Sequence, residues 1–127
     1  MKSNQEILDE FGKIVVEDIV DRYYTSTEKM IYKGTVNPEK EKYASAFNEL
    51  DNSNKSIVKD FIIKNYHNII FDFLAIFEEN EEFKLIYEEN GEQVNLVEIS
   101  EMLKAEPIIE NGWIARFSEH VKGDEII

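Results

Sequence analysis

The sequence predicts an α+β fold, predominantly helical, in a single domain over residues 1–127. It has a three-helix core around a central buried helix at about 56–77, one β-hairpin at about 83–97, and short C-terminal helices. Three observations lead there. Apolar residues recur at helical spacing over two long stretches. The period then changes to alternation on either side of one Asn-Gly pair. Only two prolines and five glycines interrupt the chain, so long elements are expected.

The first stretch, residues 3–31, reads as one long helix. Ser3 or Asn4 caps it, with Glu6 near the capping-box position. Its apolar face is drawn through Ile7, Leu8, Phe11, Ile14, Val15, Ile19, Tyr23 and Met30, with Val16, Val20 and Ile31 beside them. Gly12 is a weak point, costing about 1 kcal/mol against alanine in an exposed helix, unless another backbone comes close there. Thr25-Ser26-Thr27 lowers helix propensity and marks a place for a kink. Gly34 suits a helix C-cap, and Asn37-Pro38 suits an N-cap with proline at the first helical position. A helix from Pro38 to about Leu50 follows, with a thin stripe of Tyr43, Ala44, Phe47 and Leu50.

The stretch SIVKDFIIKNYHNIIFDFLAIF, residues 56–77, is the densest apolar segment. Ile57, Val58, Phe61, Ile62, Tyr66, Ile69, Ile70, Phe73, Leu74 and Phe77 follow helical steps, widened by Ile63, Phe71 and Ile76. A face that wide predicts a helix surrounded by other elements, with Ser53, Asn54 or Ser56 as its cap. The segment carries too many charges to cross a bilayer.

Beyond Glu78 the pattern alternates. A two-residue Asn90-Gly91 loop pairs Tyr87 with Val94 and Leu85 with Leu96 on one face, and sets Glu89 opposite Glu92. Glu98 to Ala105 returns to helical spacing and ends before Pro107. In residues 108–121 a second hairpin at Asn111-Gly112 competes with a helix capped by Asn111. The four-residue step of Trp113, Phe117 and Val121 favours the helix. Gly123 to Ile127 reads as a frayed tail.

Composition narrows the function. The chain has no cysteine, hence no disulfide or thiolate metal site. Its start lacks the apolar run of a signal peptide, so a cytoplasmic location is expected. The leaning to Ile, Lys, Asn and Glu associates it with a bacterial source. Net charge is −13, unevenly placed: residues 1–77 hold 10 basic and 13 acidic residues, residues 78–127 hold 4 and 14. A negative field of that size disfavours nucleic acid and anionic membranes and favours a basic protein partner.

No metal, phosphate-loop or nucleophile motif is present, and no cofactor is implied. His67, on the polar stripe of the central helix near Asp60, Lys64 and Asp72, is the one acid/base candidate. His120 suits the end of a short helix. The expected function is therefore that of a small, acidic, non-catalytic protein-binding protein, such as an inhibitor or immunity protein that neutralises a basic bacterial toxin, for example a nuclease. Glu88, Glu89 and Glu92 at the hairpin tip, with Tyr87 and Trp113 as aromatic anchors, are the expected contact residues. The alternatives are a structural or assembly homo-oligomer, or an enzyme with a non-contiguous His/carboxylate site.

Overall fold

A computed structural model describes residues 1–124. It is mostly helical with one two-stranded antiparallel hairpin, as the sequence predicts. Helix α1 (Asn4–Val15) passes through a π-helical turn (Val16–Val20) into α2 (Asp21–Tyr32). A 3-10 turn (Pro38–Lys40) leads into α3 (Glu41–Asn48), and α4 (Asn52–Glu79) follows. Strands β1 (Ile86–Glu89) and β2 (Glu92–Asn95) form the hairpin. Helix α5 (Leu96–Ile99), a 3-10 turn (Leu103–Ala105), α6 (Trp113–Phe117) and α7 (Glu119–Asp124) complete the chain.

Local chemistry sets several boundaries. Ser3 and Glu6 close a capping box: the Glu6 amide donates to Ser3 Oγ at 3.1 Å and the Ser3 amide to Glu6 Oε1 at 2.9 Å. Asn37 caps the Pro38 turn through Oδ1, which accepts from the Glu39 amide at 3.0 Å. Asn90 and Gly91 both have positive φ, 52° and 84°, as a type I′ turn requires. The register pairs Tyr87 with Val94 and Glu89 with Glu92, as expected. Leu85 and Leu96 fall outside the strands, yet the Leu96 amide donates to the Leu85 carbonyl at 3.0 Å and extends the ladder.

The core departs from expectation. Residues 4–32 run without a break at Thr25-Ser26-Thr27, and the irregularity lies earlier, at the π-turn. The buried face is Ile7, Leu8, Gly12, Val16, Val20, Tyr24, Thr27 and Ile31. Ile14, Ile19 and Tyr23, expected inside, are about half exposed at 52%, 50% and 57%. Leu8, Gly12, Val16, Val20 and Tyr24 step by four. On a 3.6-residue helix such a row slips sideways each turn. The π-turn, where the Asp21 amide reaches back to the Val16 carbonyl, adds a residue to one turn and holds the row in line.

At the centre lies Trp113, wholly buried against Gly12, with Phe11 edge-on at a ring separation of 5.7 Å. A Cβ on Gly12 would come within 2.4 Å of the indole. The glycine that looked like a weak point in a helix is thus the seat of the largest core side chain. Around it cluster Ile7, Leu8, Val16, Val20, Tyr24, Leu74, Leu96, Leu103 and Ile114.

The C-terminal third holds further corrections. The helix expected from Glu98 to Ala105 is two short turns, α5 and the Leu103–Ala105 turn, with Ser100 extended between them. The last stretch is helical, not a hairpin, but split. Gly112 rather than Asn111 occupies the cap position of α6, where a Cβ would meet the Glu106 carbonyl at 2.4 Å. Ser118 then starts α7: its Oγ accepts from the Val121 amide at 3.0 Å. Asp21 clamps this start to α2, accepting from Ser118 Oγ at 2.5 Å and from the Glu119 amide at 3.0 Å. Of the expected tail, Gly123 and Asp124 belong to α7, and residues 125–127 lie outside the described residues.

Helix α4 differs most from expectation. It is longer than predicted and is capped by Asp51, whose Oδ1 accepts from the Asn54 amide at 2.8 Å. It is not the buried centre of the domain: only Leu74 and Ala75 are buried along its 28 residues. It packs one face against α2 and the Leu103–Ala105 turn and leaves the other to solvent. The central position belongs to the α1–α2 rod.

Candidate functional site

Two places in the fold concentrate features that packing alone does not require. The first is the outer face of α4. Ile57 (63%), Phe61 (68%), Ile69 (64%), Phe73 (58%) and Ile76 (43%) are exposed, with half-buried Val58 and Ile62 between them. The inner face takes Ile63, Tyr66, Ile70 and Leu74 against the core cluster. The helix therefore carries two apolar stripes and buries one. Full burial of each large apolar side chain is worth about 1.5–3 kcal/mol, so five exposed together leave a large unused driving force. Single exposed apolar residues need no explanation, but a contiguous row on one helix marks an interaction surface. On the inner side of α4, Tyr66 meets Tyr23 of α2 edge-on at 5.6 Å.

The second place is a cleft of about 830 Å³ between α2, α4 and the C-terminal segment, where the two histidines of the chain converge on Tyr24. The Tyr24 hydroxyl bonds His67 Nε2, and the Tyr24 ring lies 5.1 Å from that of His120. Burial pushes the Tyr24 phenol well up from its ordinary value, helped by the Asp21 charge, so it keeps its proton. Burial also lowers the pKa of His67, and the positive charge of Lys64 lowers it further. The phenol is thus the donor and the neutral imidazole the acceptor. His120 Nε2 meets Glu28 Oε2 at 2.7 Å and Lys59 Nζ lies 3.5 Å from the same oxygen. The hydrogen bond from His120 is the main cause holding the Glu28 carboxyl below its usual range. Nearby, Thr27 Oγ1 and the Tyr66 hydroxyl lie 2.6 Å apart.

A half-buried histidine in a cleft is the environment an acid/base group needs. Here, however, the Nε2 lone pair is already taken by Tyr24, and Asp60, on the cleft rim, pairs with Lys64 at 3.2 Å. Asp72 is exposed on the outer side of α4, so the polar stripe foreseen around His67 is not one group. The arrangement acts as a polar brace across α2, α4 and α7. Among the described residues, no group of three or more His, Asp or Glu is placed to hold a metal ion.

The expected contact residues are dispersed. Trp113 has no exposed surface, which removes it from any contact. Tyr87 is half-buried: its hydroxyl donates to Glu89 Oε1 at 2.8 Å and accepts from Lys2 Nζ at 3.1 Å. The Tyr87 hydrogen bond is the main reason that the Glu89 carboxyl sits below its ordinary pKa. Glu88 and Glu92 are exposed at the hairpin tip. Sequence reasoning missed the outer face of α4 because its residues fit a core helix. The available signal was the presence of two separate apolar sets, one through 57, 61, 69, 73 and 76 and one through 63, 66, 70 and 74.

Compared with known proteins, the chain matches no family model, no curated protein and no solved structure. Among the described residues, no helix is long and apolar enough to cross a membrane.

Proposed function

We propose that this protein acts by binding another protein chain, without catalysis, and that the outer face of α4 is its docking surface. One observation carries the reading: five large apolar side chains stand exposed in a row on a helix whose opposite face already supplies the core. Apolar anchors of this kind dominate the energetics of protein interfaces. Docking buries surface that otherwise costs solubility, and the net charge of −13 keeps the unbound chain soluble.

The triple variant F61D/I69D/F73D tests this. Its side chains lie outside the core, so its melting temperature should stay within a few degrees of the parent. Capture of partners from the native host should fall at least 100-fold, the loss of two or more anchors at about 2 kcal/mol each. Unchanged capture by the folded variant would rule out the α4 surface.

The inhibitor or immunity reading is the finer form of this proposal, and the acidity supports it: residues 78–127 hold 14 acidic against 4 basic residues. In that form a basic toxin is steered by the negative field. Reversing the charge of Glu88, Glu89 and Glu92 should slow association about tenfold at low salt and flatten its salt dependence. Glu88 and Glu92 should carry most of the change, because Glu89 is engaged by Tyr87. An unaltered salt slope would exclude the hairpin tip from the contact.

A further inference from the structure

We propose that the protein partner docking on the outer face of α4 sets an arginine against Asp72, in the middle of the apolar row; this rests on the reading of α4 as the docking surface. The first support is position. At about 100° per residue the exposed Ile57, Phe61, Ile69, Phe73 and Ile76 span an arc of about 160°, bounded by Ile57 and Phe73. Asp72 falls about 20° from the middle of that arc, and along the axis it lies between Ile69 and Phe73. It is exposed, and among the described residues it makes no hydrogen bond or ion pair. Any surface that covers the five apolar side chains therefore also covers this carboxylate.

The second support is the chemistry of a covered carboxylate. While the face is open, water solvates both oxygens of Asp72. An ionised carboxylate taken out of water without a partner is strongly unfavourable. The apolar gain of the row is realised only if the partner returns a positive charge and its hydrogen bonds. The helix itself does not: Asn65, within the same arc, donates its amide to the Phe61 carbonyl at 2.9 Å instead. A guanidinium meets the need. Its planar fork serves both carboxylate oxygens at once, it is more weakly hydrated than an ammonium, and it is the cation enriched at protein interfaces.

The third support is what the face lacks. Between Ile57 and Ile76 the arc carries no cation. Lys64 stands about 20° beyond its Ile57 edge and pairs with Asp60 at 3.2 Å. Lys59 is turned toward α2, 3.5 Å from Glu28. A second copy would set the same arc, with its own Asp72 and no cation, against this one, and would bring together two chains of net charge −13. A basic partner supplies the missing charge, and the field of the whole chain steers it to the face.

Three synthetic amphipathic helices of about 18 residues test the proposal. They share one leucine face and differ only at its central residue, which is arginine, leucine or glutamate. Fluorescence anisotropy with the full chain at about 0.15 M salt reads each Kd. The parent should bind the arginine peptide at least about tenfold more tightly than the leucine peptide, and the glutamate peptide most weakly. Asp72→Leu, a change at an exposed position, should reverse the first preference, and Asp72→Lys should favour the glutamate peptide. The neutral variant F61S/I69S/F73S should bind none of the three. Equal binding of the arginine and leucine peptides by the parent, or a preference for leucine that Asp72→Leu strengthens, would overturn the arginine and leave the docking reading standing. Failure of all three peptides to bind at about 1 mM would also overturn it. Self-association of the parent at about 100 μM that F61S/I69S/F73S abolishes would make a second copy the occupant and overturn it as well. If F61S/I69S/F73S binds the arginine peptide as the parent does, the docking reading itself falls.

Discussion

Gly12→Ala should destabilise the protein by about 2–3 kcal/mol, lowering the melting temperature by roughly 10 °C. In a solvent-exposed helix the same change would stabilise by about 1 kcal/mol. Here the new methyl would sit 2.4 Å from the Trp113 ring atoms Cγ and Cδ2, well inside contact distance. The indole has no room to retreat, since Trp113 is wholly buried and held edge-on by Phe11. Overpacking outweighs propensity. Trp113→Phe alone should cost about 1–3 kcal/mol through a partial cavity, moderated because the indole Nε1 is buried with no partner among the described residues. In G12A/W113F the smaller ring makes space for the methyl, so the two losses should add to less than their sum by about 1 kcal/mol or more. Melts of all three variants and the parent at one fixed protein concentration check this. A higher melting temperature for Gly12→Ala would refute this account of the core.

Acidification should weaken the fold from pH 6.5 downward, and the Tyr24–His67 bond is the reason. An unfolded chain takes up a proton at His67 near pH 6.5. The folded state resists it, because burial and Lys64 lower the pKa of this imidazole and its Nε2 is already engaged by the Tyr24 hydroxyl. The unfolded state then binds more protons than the folded one, so stability rises with pH through this window and falls as pH drops toward the lowered pKa. Above pH 6.5 the contribution is fully present. His67→Gln keeps an acceptor for Tyr24 and removes the titration, so its stability should stay nearly flat from pH 8 to pH 5.5 while the parent declines. Below about pH 4.5 both should lose stability, because Asp9 and Glu28 have lowered pKa values and must be protonated there. Tyr24→Phe, which leaves His67 without its donor, should cost about 1–2 kcal/mol at pH 8. Urea melts across pH measure all three; equal slopes for parent and His67→Gln between pH 7 and pH 5.5 would refute the assignment.

The legible parts of the fold share one property: their causes are local. Asn90-Gly91 demands positive φ at two successive residues, and that alone selects the turn and the Tyr87–Val94 register. Ser3 with Glu6, and Asn37 with Pro38, close their caps within three residues. The illegible parts depend on partners far along the chain. Ile14 and Ile19 satisfy helical spacing as well as Val16 and Val20 do. Only the π-turn, which no residue type announces, decides between them. Trp113 had the credentials of a surface anchor and of a core residue, and Gly12, 101 positions earlier, makes it the latter. The convergence of His67 and His120 on Tyr24 joins three separate elements and has no signature in any one of them.

By itself the sequence determined the helical class, the hairpin and its register, the acidity of the C-terminal third, and the apolar richness of residues 56–77. Propensity, periodicity and charge are properties of neighbouring residues and survive without a fold. Only the tertiary structure decided which of the two stripes on α4 is core and which is surface. The choice depends on how much of the helix the α1–α2 rod and the Leu103–Ala105 turn are able to cover. The rod and turn cover one face and leave the row from Ile57 to Ile76 exposed.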